Sequence, residues 1–357
     1  MQCANLGGME QASLRLMKAL QRRGHSFHVL SLNPLADLAP LLSRAGIPAQ
    51  GLSYRGKGGW RSFPELRSQL RSLRTDGLLM TGHHLLAMFG LGQDWHERSV
   101  LTIHFHHAGV KPTWQWKMIY RVANARFRAI TFPCQFIRRE AEQLYPGIKS
   151  RSHTIFYPLT LPELPTDAER TIARTELGLP SGVKVVGNAG WLIPRKRWDV
   201  FLRVAQQVLH QKPESLFVIA GDGPERDSLE KLTVELGISS AVRWLGWQQN
   251  MTRFYHALDV LLFNSDWDAV GLTPLEAMSY GVPVAVSIIH GGLAEIIGDD
   301  GVIIDTHDTN RLAERIVGFL DSRVSSQEAG IAGREYIRRH FDPDQVATKY
   351  ERLLQGN

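Results

Sequence analysis

Asp268 and Glu276 are two carboxylates eight residues apart inside the run DWDAVGLTPLEAMSYGVPV, residues 266–284. The apolar segment DVLLFNS leads into this run and reads as a strand. Thr273-Pro274-Leu275-Glu276 then reads as a helix start. Thr273 suits the N-cap, Pro274 the first turn, and Glu276 stands three residues beyond the cap. Gly281 ends the helix and Pro283 follows it. A helix that opens at the carboxyl end of a strand directs free N–H groups and the positive end of its dipole at one spot, which suits a phosphate. Carboxylates beside that spot accept hydrogen bonds from hydroxyls. The run therefore fits a ligand carrying both phosphates and hydroxyls, although Thr273 and Glu276 also satisfy a purely structural capping box.

Other segments hold groups that fit the same chemistry. Arg195 and Lys196 lie in AGWLIPRKRWD, 189–199. When a bond to a diphosphate breaks, negative charge gathers on the departing oxygens. Fixed cations that tighten their hold as it gathers lower the barrier, and losing one commonly costs about 2.7–4 kcal/mol. Such cations need no metal beside them. An exposed basic turn is the plain alternative. A glycine pair weakens a helix or strand, so Gly7-Gly8 marks a turn or a close approach of backbone to a ligand. His104, His106 and His107 form HFHH at the end of an apolar segment. Imidazoles bind zinc, but no acid or cysteine stands at ligand spacing, so no metal site is expected. A neutral His104 donating to a hydroxyl or carbonyl fits better, with a satisfied core histidine as the alternative. The segment 114–128 mixes Trp114, Trp116, Tyr120 and Phe127 with Lys117, Arg121, Arg126 and Arg128. It reads either as a helix lying at a membrane interface or as an ordinary helix with buried aromatics.

Those groups must be positioned by a fold, and the composition bounds it. The chain has 357 residues, 43% of them hydrophobic, enough for two domains with cores of their own. No apolar run approaches the about 18 residues that cross a bilayer. The opening MQCANLGGMEQ lacks the pattern of a signal peptide. The two cysteines, Cys3 and Cys134, indicate no disulfide framework, and a reducing cytoplasm fits best. Residues 1–160 carry 21 Lys+Arg against 8 Asp+Glu, a balance of +13; residues 161–357 carry 20 against 27, a balance of −7. A basic half joined to an acidic half suggests different partners, with an anionic membrane or anionic acceptor for the basic half. No nucleic-acid-binding module is present, so nucleic acid is not expected as a partner.

The periodicity alternates strand and helix. In the first half, helices are expected at 9–23, 36–45, 63–74, 113–126 and 134–145, and strands at 26–32, 77–80, 99–103, 128–132 and 153–156. In the second half, strands are expected at 183–187, 216–220, 242–245, 260–263, 283–287 and 302–304. Helices are expected at 198–211, 225–236, 250–257, 274–280, 292–297, 309–321 and 325–340. The three prolines of FYPLTLPELPTDAER, 156–170, mark a linker. An α/β domain usually opens on an apolar strand; only MQCANL precedes the glycine pair, so the first strand is short or truncated. The pattern predicts an α/β chain of two Rossmann-like, doubly wound domains facing a central cleft, over 1–160 and 161–340, with ligands at the carboxyl ends of the strands.

Five segments, in order, resemble the family 4 retaining glycosyltransferases of the GT-B architecture. They are NLGGMEQASLRLMKALQRRGH at 5–25, VLTIH at 100–104, AGDGPERDSL at 220–229, VRWLGW at 242–247, and the Asp-x7-Glu run followed by HGGLAEII. The resemblance implies an N-terminal acceptor domain, a C-terminal domain for a nucleotide-sugar donor, and a last helix at 343–355 that packs back on the N-terminal domain. It implies that Glu276 binds the donor ribose and that Asp268, where the family usually has Glu, contacts the transferred sugar. It gives the diphosphate to the backbone of Gly271, Leu272 and Thr273, with Gly7 and Gly8 approaching from the other domain. Lys196 matches the lysine that neutralises the leaving phosphate. The usual arginine after Gly190 is Trp191 here, and Arg195 supplies a charge nearby. Trp247 follows the strand before the base pocket, and His104 touches the donor sugar near the reacting carbon. The family's leaving diphosphate helps to deprotonate the acceptor, a glycan or lipid-linked molecule, so neither a metal nor a cofactor is required. The setting implied is the cytoplasm, with peripheral contact at the inner face of the membrane. Two other outcomes stay open on sequence: a non-catalytic homologue that binds nucleotide or a partner, and a sugar-nucleotide epimerase.

Overall fold

The computed structural model describes residues 7–52, 63–72, 75–91, 93–104, 112–248, 250–297, 302–304 and 308–356. The chain divides into two compact units: Met1–Leu159 with Phe341–Asn357, and Thr160–His340. The short opening strand expected before Gly7 lies outside the described residues.

The first unit runs α1 Gly8–Arg22, β1 Val29–Ser31, α2 Leu38–Arg44, β2 Ala49–Gly51, α3 Phe63–Ser72, β3 Leu78–Thr81, α4 Leu85–Gly90, β4 Ser99–Thr102, α5 Thr113–Arg126, β5 Ala129–Phe132, α6 Gln135–Leu144 and β6 Ser152–Thr154. Among the described residues, β3 to β6 form a parallel sheet in chain order, and β1 pairs separately with β2. The two middle strands of the sheet, β4 and β5, are buried along their whole length, as strands covered on both faces are. Leu16, Ala19 and Leu20 of α1 share one core cluster with Val100, Ala129, Val346, Ala347 and Tyr350. The last three belong to the final helix of the chain, Pro343–Gln355, which is thereby part of the first unit. Asp342 caps this helix, accepting from the N–H groups of Asp344 and Gln345. Two elements escape the sequence pattern: β2, and α4 inside the apolar stretch around 85–90.

The second unit runs α7 Asp167–Glu176, β7 Val185–Ala189, α8 Trp198–Gln211, β8 Leu216–Ala220, α9 Arg226–Glu235, β9 Val242–Gly246, α10 Met251–Ala257, β10 Val260–Asp268, α11 Leu272–Ser279, β11 Val284–Gly291, α12 Leu293–Ile297, β12 Val302–Ile304, α13 Thr309–Asp321 and α14 Arg323–His340; the final helix is α15. Its parallel sheet has the order β12-β11-β10-β7-β8-β9. The order reverses between β7 and β10, so right-handed crossovers place helices on both faces, and the carboxyl ends at this switch point are where such sheets bind ligands.

The structure corrects three local expectations. The linker at 156–170 ends early. Thr166 caps α7, its hydroxyl accepting from the Glu169 N–H at 3.2 Å while Glu169 accepts from the Thr166 N–H at 2.8 Å. That capping box overrides the proline-rich composition. β10 and β11 run past the apolar cores expected at 260–263 and 283–287, because pairing continues from Ser265 to Asp268 opposite Ile288 to Gly291. The third correction, at Thr273, concerns the site.

Candidate donor site

The basic turn after β7 is held by the end of β10. Pro194–Lys196 form a 3₁₀ turn, and Arg197 follows in the left-handed region at φ +48°. A non-glycine residue is strained there. Two acids hold it: the guanidinium meets both Asp199 oxygens at 3.0 Å and Asp266 at 3.1 Å. The carbonyls of the turn are taken up by polar side chains of β10. Asn264 donates to the Arg197 carbonyl and, at 3.3 Å, to that of Lys196. Ser265 donates to the carbonyl of Arg195 at 3.0 Å. From the other side, the Trp198 indole N–H donates to the Trp191 carbonyl at 2.9 Å.

This clamp presents two cations at the end of β10. Lys196 Nζ lies 2.5 Å from Asp268 Oδ2 and 4.7 Å from the centre of the Phe263 ring. Arg195 donates to the Trp267 carbonyl at 2.8 Å and stands 3.6 Å from Asp268 Oδ2. Asp268 pairs with Gly291 across the sheet. A Cβ at Gly291 would sit 1.8 Å from the Asp268 carbonyl oxygen, so only glycine lets the backbones approach and fix the carboxylate.

Helix α11 opens beside this cluster, and here Thr273 departs from its expected role. Gly271, not Thr273, is the N-cap, in the left-handed region at φ +66°. A side chain at Gly271 would also meet Leu293 at 2.7 Å. Thr273 lies inside the helix and donates to the Ala189 carbonyl at the end of β7, 3.1 Å away. Glu276 is therefore too far along to reach back to the cap, and accepts instead from the Tyr255 hydroxyl at 2.9 Å. The capping box does not form. Its N-cap, Gly271, has no side chain to cap α11, so among the described residues the first-turn N–H groups beginning at Gly271 and Leu272 keep their positive end for another acceptor. Gly190, at the end of β7, donates its N–H to the Ala220 carbonyl at 3.0 Å. Trp191 and Trp247 follow the ends of β7 and β9. Their rings pair at 5.2 Å, tilted, and are 42% and 48% exposed, so an aromatic surface faces outward next to the cations.

The remaining groups named from sequence lie in the first unit. Gly7 is the N-cap of α1 and Gly8 its first residue, and the Gly7 N–H donates to Glu10 at 3.1 Å. His106 and His107 lie outside the described residues. His104 follows β4 and is buried. Its Nδ1 is 2.7 Å from the Tyr157 hydroxyl, while its Nε2 has no hydrogen-bond partner among the described residues. The imidazole and the phenol share this hydrogen bond, and which of them donates follows the histidine tautomer. Burial, and then neighbouring His83, push its pKa down to about 4.

Sequence reasoning missed Tyr157, Tyr255, Asn264 and Ser265. Asn264 and Ser265 did leave a signal, as a polar pair ending an apolar strand. The two tyrosines left none, because their partners are distant in sequence. The depressed His104 pKa has a consequence for stability. The unfolded chain, with its histidine near 6.5, binds more protons than the folded one down to about 4. Stability from this residue is thus present above pH 6.5 and lost as the pH falls towards 4. We expect denaturation curves to show a smaller loss over that window in His104→Gln than in the unsubstituted protein; equal slopes would contradict the assignment.

Comparison with known proteins gives the same reading for the two halves. Residues 6–158 match the family described as Glycosyltransferase Family 4, and residues 169–336 match Glycosyl transferases group 1. A lipopolysaccharide core biosynthesis glycosyltransferase of Rhizobium meliloti, LpsD, is 30% identical over 181 residues, 50% of this chain and 51% of the relative. The mannosyltransferase LpsB of the same organism is 28% identical over 52% of this chain and 57% of its own length. The chain thus spans about half the length of the curated relatives it matches. The crystal structure of Anabaena HepE in complex with UDP and glucose superposes with a TM-score of 0.84, covering 100% of this chain and 98% of that one, at 18% identity. The two family matches, one to each half, and the shared fold show that the chain belongs to the family 4 glycosyltransferases of GT-B architecture.

Proposed function

We propose that the protein transfers a sugar, with retention of anomeric configuration and without a metal, from a nucleoside-diphosphate sugar to a glycan or lipid-linked acceptor. One observation carries the proposal: Lys196, Arg195 and Asp268 are fixed beside the uncapped start of α11 at the switch point of the second unit's sheet. A diphosphate at the first-turn N–H groups of α11 meets the helix dipole and two cations. Lys196 and Arg195 then stabilise the charge that grows as the sugar leaves. Glu276, kept in place by Tyr255, accepts from ribose hydroxyls. Asp268 accepts from hydroxyls of the transferred sugar. The surface of Trp191 and Trp247 is suited to a base or sugar face. His104, Gly7 and Gly8 belong to the first unit, where the Gly7 N–H is already taken by Glu10. The departing diphosphate helps to take the acceptor's proton. The names of LpsD and LpsB favour an acceptor of the cell-envelope polysaccharide kind, and the HepE complex favours a nucleoside-diphosphate donor. Glu276→Ala and Lys196→Ala should each lower transfer by roughly 10²–10³-fold in protein that still melts cooperatively, Lys196→Ala at a lower temperature because Asp268 loses its partner. Wild-type rates in either purified variant would refute the site. An epimer formed from donor alone would refute the reaction.

We further propose that the protein works in the cytoplasm, in peripheral contact with an anionic membrane. No helix of the described residues is long and apolar enough to cross one. The structure sorts the side chains of α5. Trp116 and Tyr120 are buried, while Trp114 (65% exposed), Lys117, Met118 and Arg121 form an outward stripe. Aromatic and sulfur groups with flanking cations suit the headgroup region, and each cation adds about 1 kcal/mol near an anionic surface. Vesicles containing phosphatidylglycerol should carry down the protein at low salt and release it at high salt, with Trp114→Ala bound several-fold more weakly. Equal sedimentation with neutral vesicles would count against the proposal.

A further inference from the structure

The two charges at the centre of the candidate site neutralise each other. Lys196 Nζ and Asp268 Oδ2 are 2.5 Å apart, and both side chains are largely buried, at 14% and 16% exposure. A largely buried, charge-assisted contact of this kind is a strong one, and splitting it leaves two ions short of water unless each finds a new partner. The donor reading proposed above, on which the following argument rests, gives those two ions different targets. Lys196 goes to the diphosphate and Asp268 to hydroxyls of the sugar.

An intact nucleotide sugar satisfies both. Its phosphate oxygens replace the carboxylate at Lys196, and its sugar hydroxyls replace the ammonium at Asp268. A nucleoside diphosphate left after transfer satisfies only one. It offers nothing to Asp268, which stays anionic beside the phosphates and competes with them for Lys196. Arg195 relieves this competition only in part: its ion pair to the same Asp268 oxygen is longer, at 3.6 Å, and its hydrogen bond goes to the Trp267 carbonyl. The Asp268 backbone is paired to Gly291 in the sheet, so its carboxylate can turn but stays close to the diphosphate position.

We infer that Asp268 is a specificity-determining residue that makes the site prefer the intact donor over the spent nucleoside diphosphate, by competing with the diphosphate for Lys196. Before transfer, the competition is answered by the sugar. After transfer it returns, and it favours release of the nucleotide. Loss of the charge therefore affects the two ligands in opposite directions.

The test is calorimetric titration of UDP, GDP, UDP-glucose and GDP-mannose into the full-length protein and into Asp268→Asn and Asp268→Glu, with melting curves to show that each variant is folded. For the nucleotide that binds, Asp268→Asn should hold the diphosphate about tenfold more tightly, equivalent to ~1.4 kcal/mol, and its sugar conjugate no more tightly than before. Asp268→Glu keeps the charge and should keep the wild-type preference. Diphosphate affinity unchanged or weakened in Asp268→Asn would overturn the inference while leaving the donor site standing. Tightening of both ligands by the same factor would also overturn it, since it would mark Asp268 as a general repulsive charge. If the unsubstituted protein bound none of the four, the donor reading and this inference would fall together.

Discussion

The attachment of the turn after β7 to the end of β10 is the contact on which the candidate site depends. Asn264 and Ser265 are buried polar residues at the point where an apolar strand ends, and their side chains hold the carbonyls of Arg195, Lys196 and Arg197. A buried polar group left unpaired costs about 1–3 kcal/mol, so the turn and the strand end stabilise each other. The same attachment keeps Arg197 in the left-handed region, with Asp199 and Asp266 as its counter-charges. With the turn fixed, Lys196 projects onto Asp268 and the cations stand at the strand ends without a flexible loop between them. Preorganisation of this kind is what electrostatic catalysis requires, because charges that need not move cost little reorganisation when the reaction occurs.

Most of the fold was legible in the sequence, for a simple reason. Helices and strands in an α/β unit carry their periodicity openly, and the α5 and α13 bounds expected from it, 113–126 and 309–321, are the observed ones. What stayed hidden was decided by competition between partners. Thr273 had two acceptable roles, a cap for its own helix or a donor to another strand. The choice fell to Gly271, which takes the left-handed cap position that Thr273 was expected to fill. Likewise α7 was masked by three prolines, although Thr166 and Glu169 carried its start signal. The ends of β10 and β11 lie beyond their apolar cores, and only pairing across the sheet shows that they continue.

The site residues divide along the same line. Lys196, Asp268 and Glu276 stood out as candidates by residue type and spacing, and the structure pairs the first two. Their supporting partners were not. Tyr255 reaches Glu276 across 21 residues, and Tyr157 reaches His104 across 53. The departures from the family pattern also acquire a physical setting. Trp191 is not a lost cation alone, since it pairs with Trp247 to make an aromatic surface beside the two cations that remain. Asp268, a carbon shorter than the family's usual glutamate, is near enough to Lys196 for direct contact.

The most direct test of the central claim is a crystal structure of the protein soaked with a nucleotide sugar that it binds. The account predicts the diphosphate at the start of α11, with phosphate oxygens about 3 Å from Lys196 Nζ and from first-turn backbone N–H groups. Asp268 should have turned from Lys196 to the sugar. Well-defined nucleotide bound elsewhere, with the contact between Lys196 and Asp268 unbroken, would contradict it.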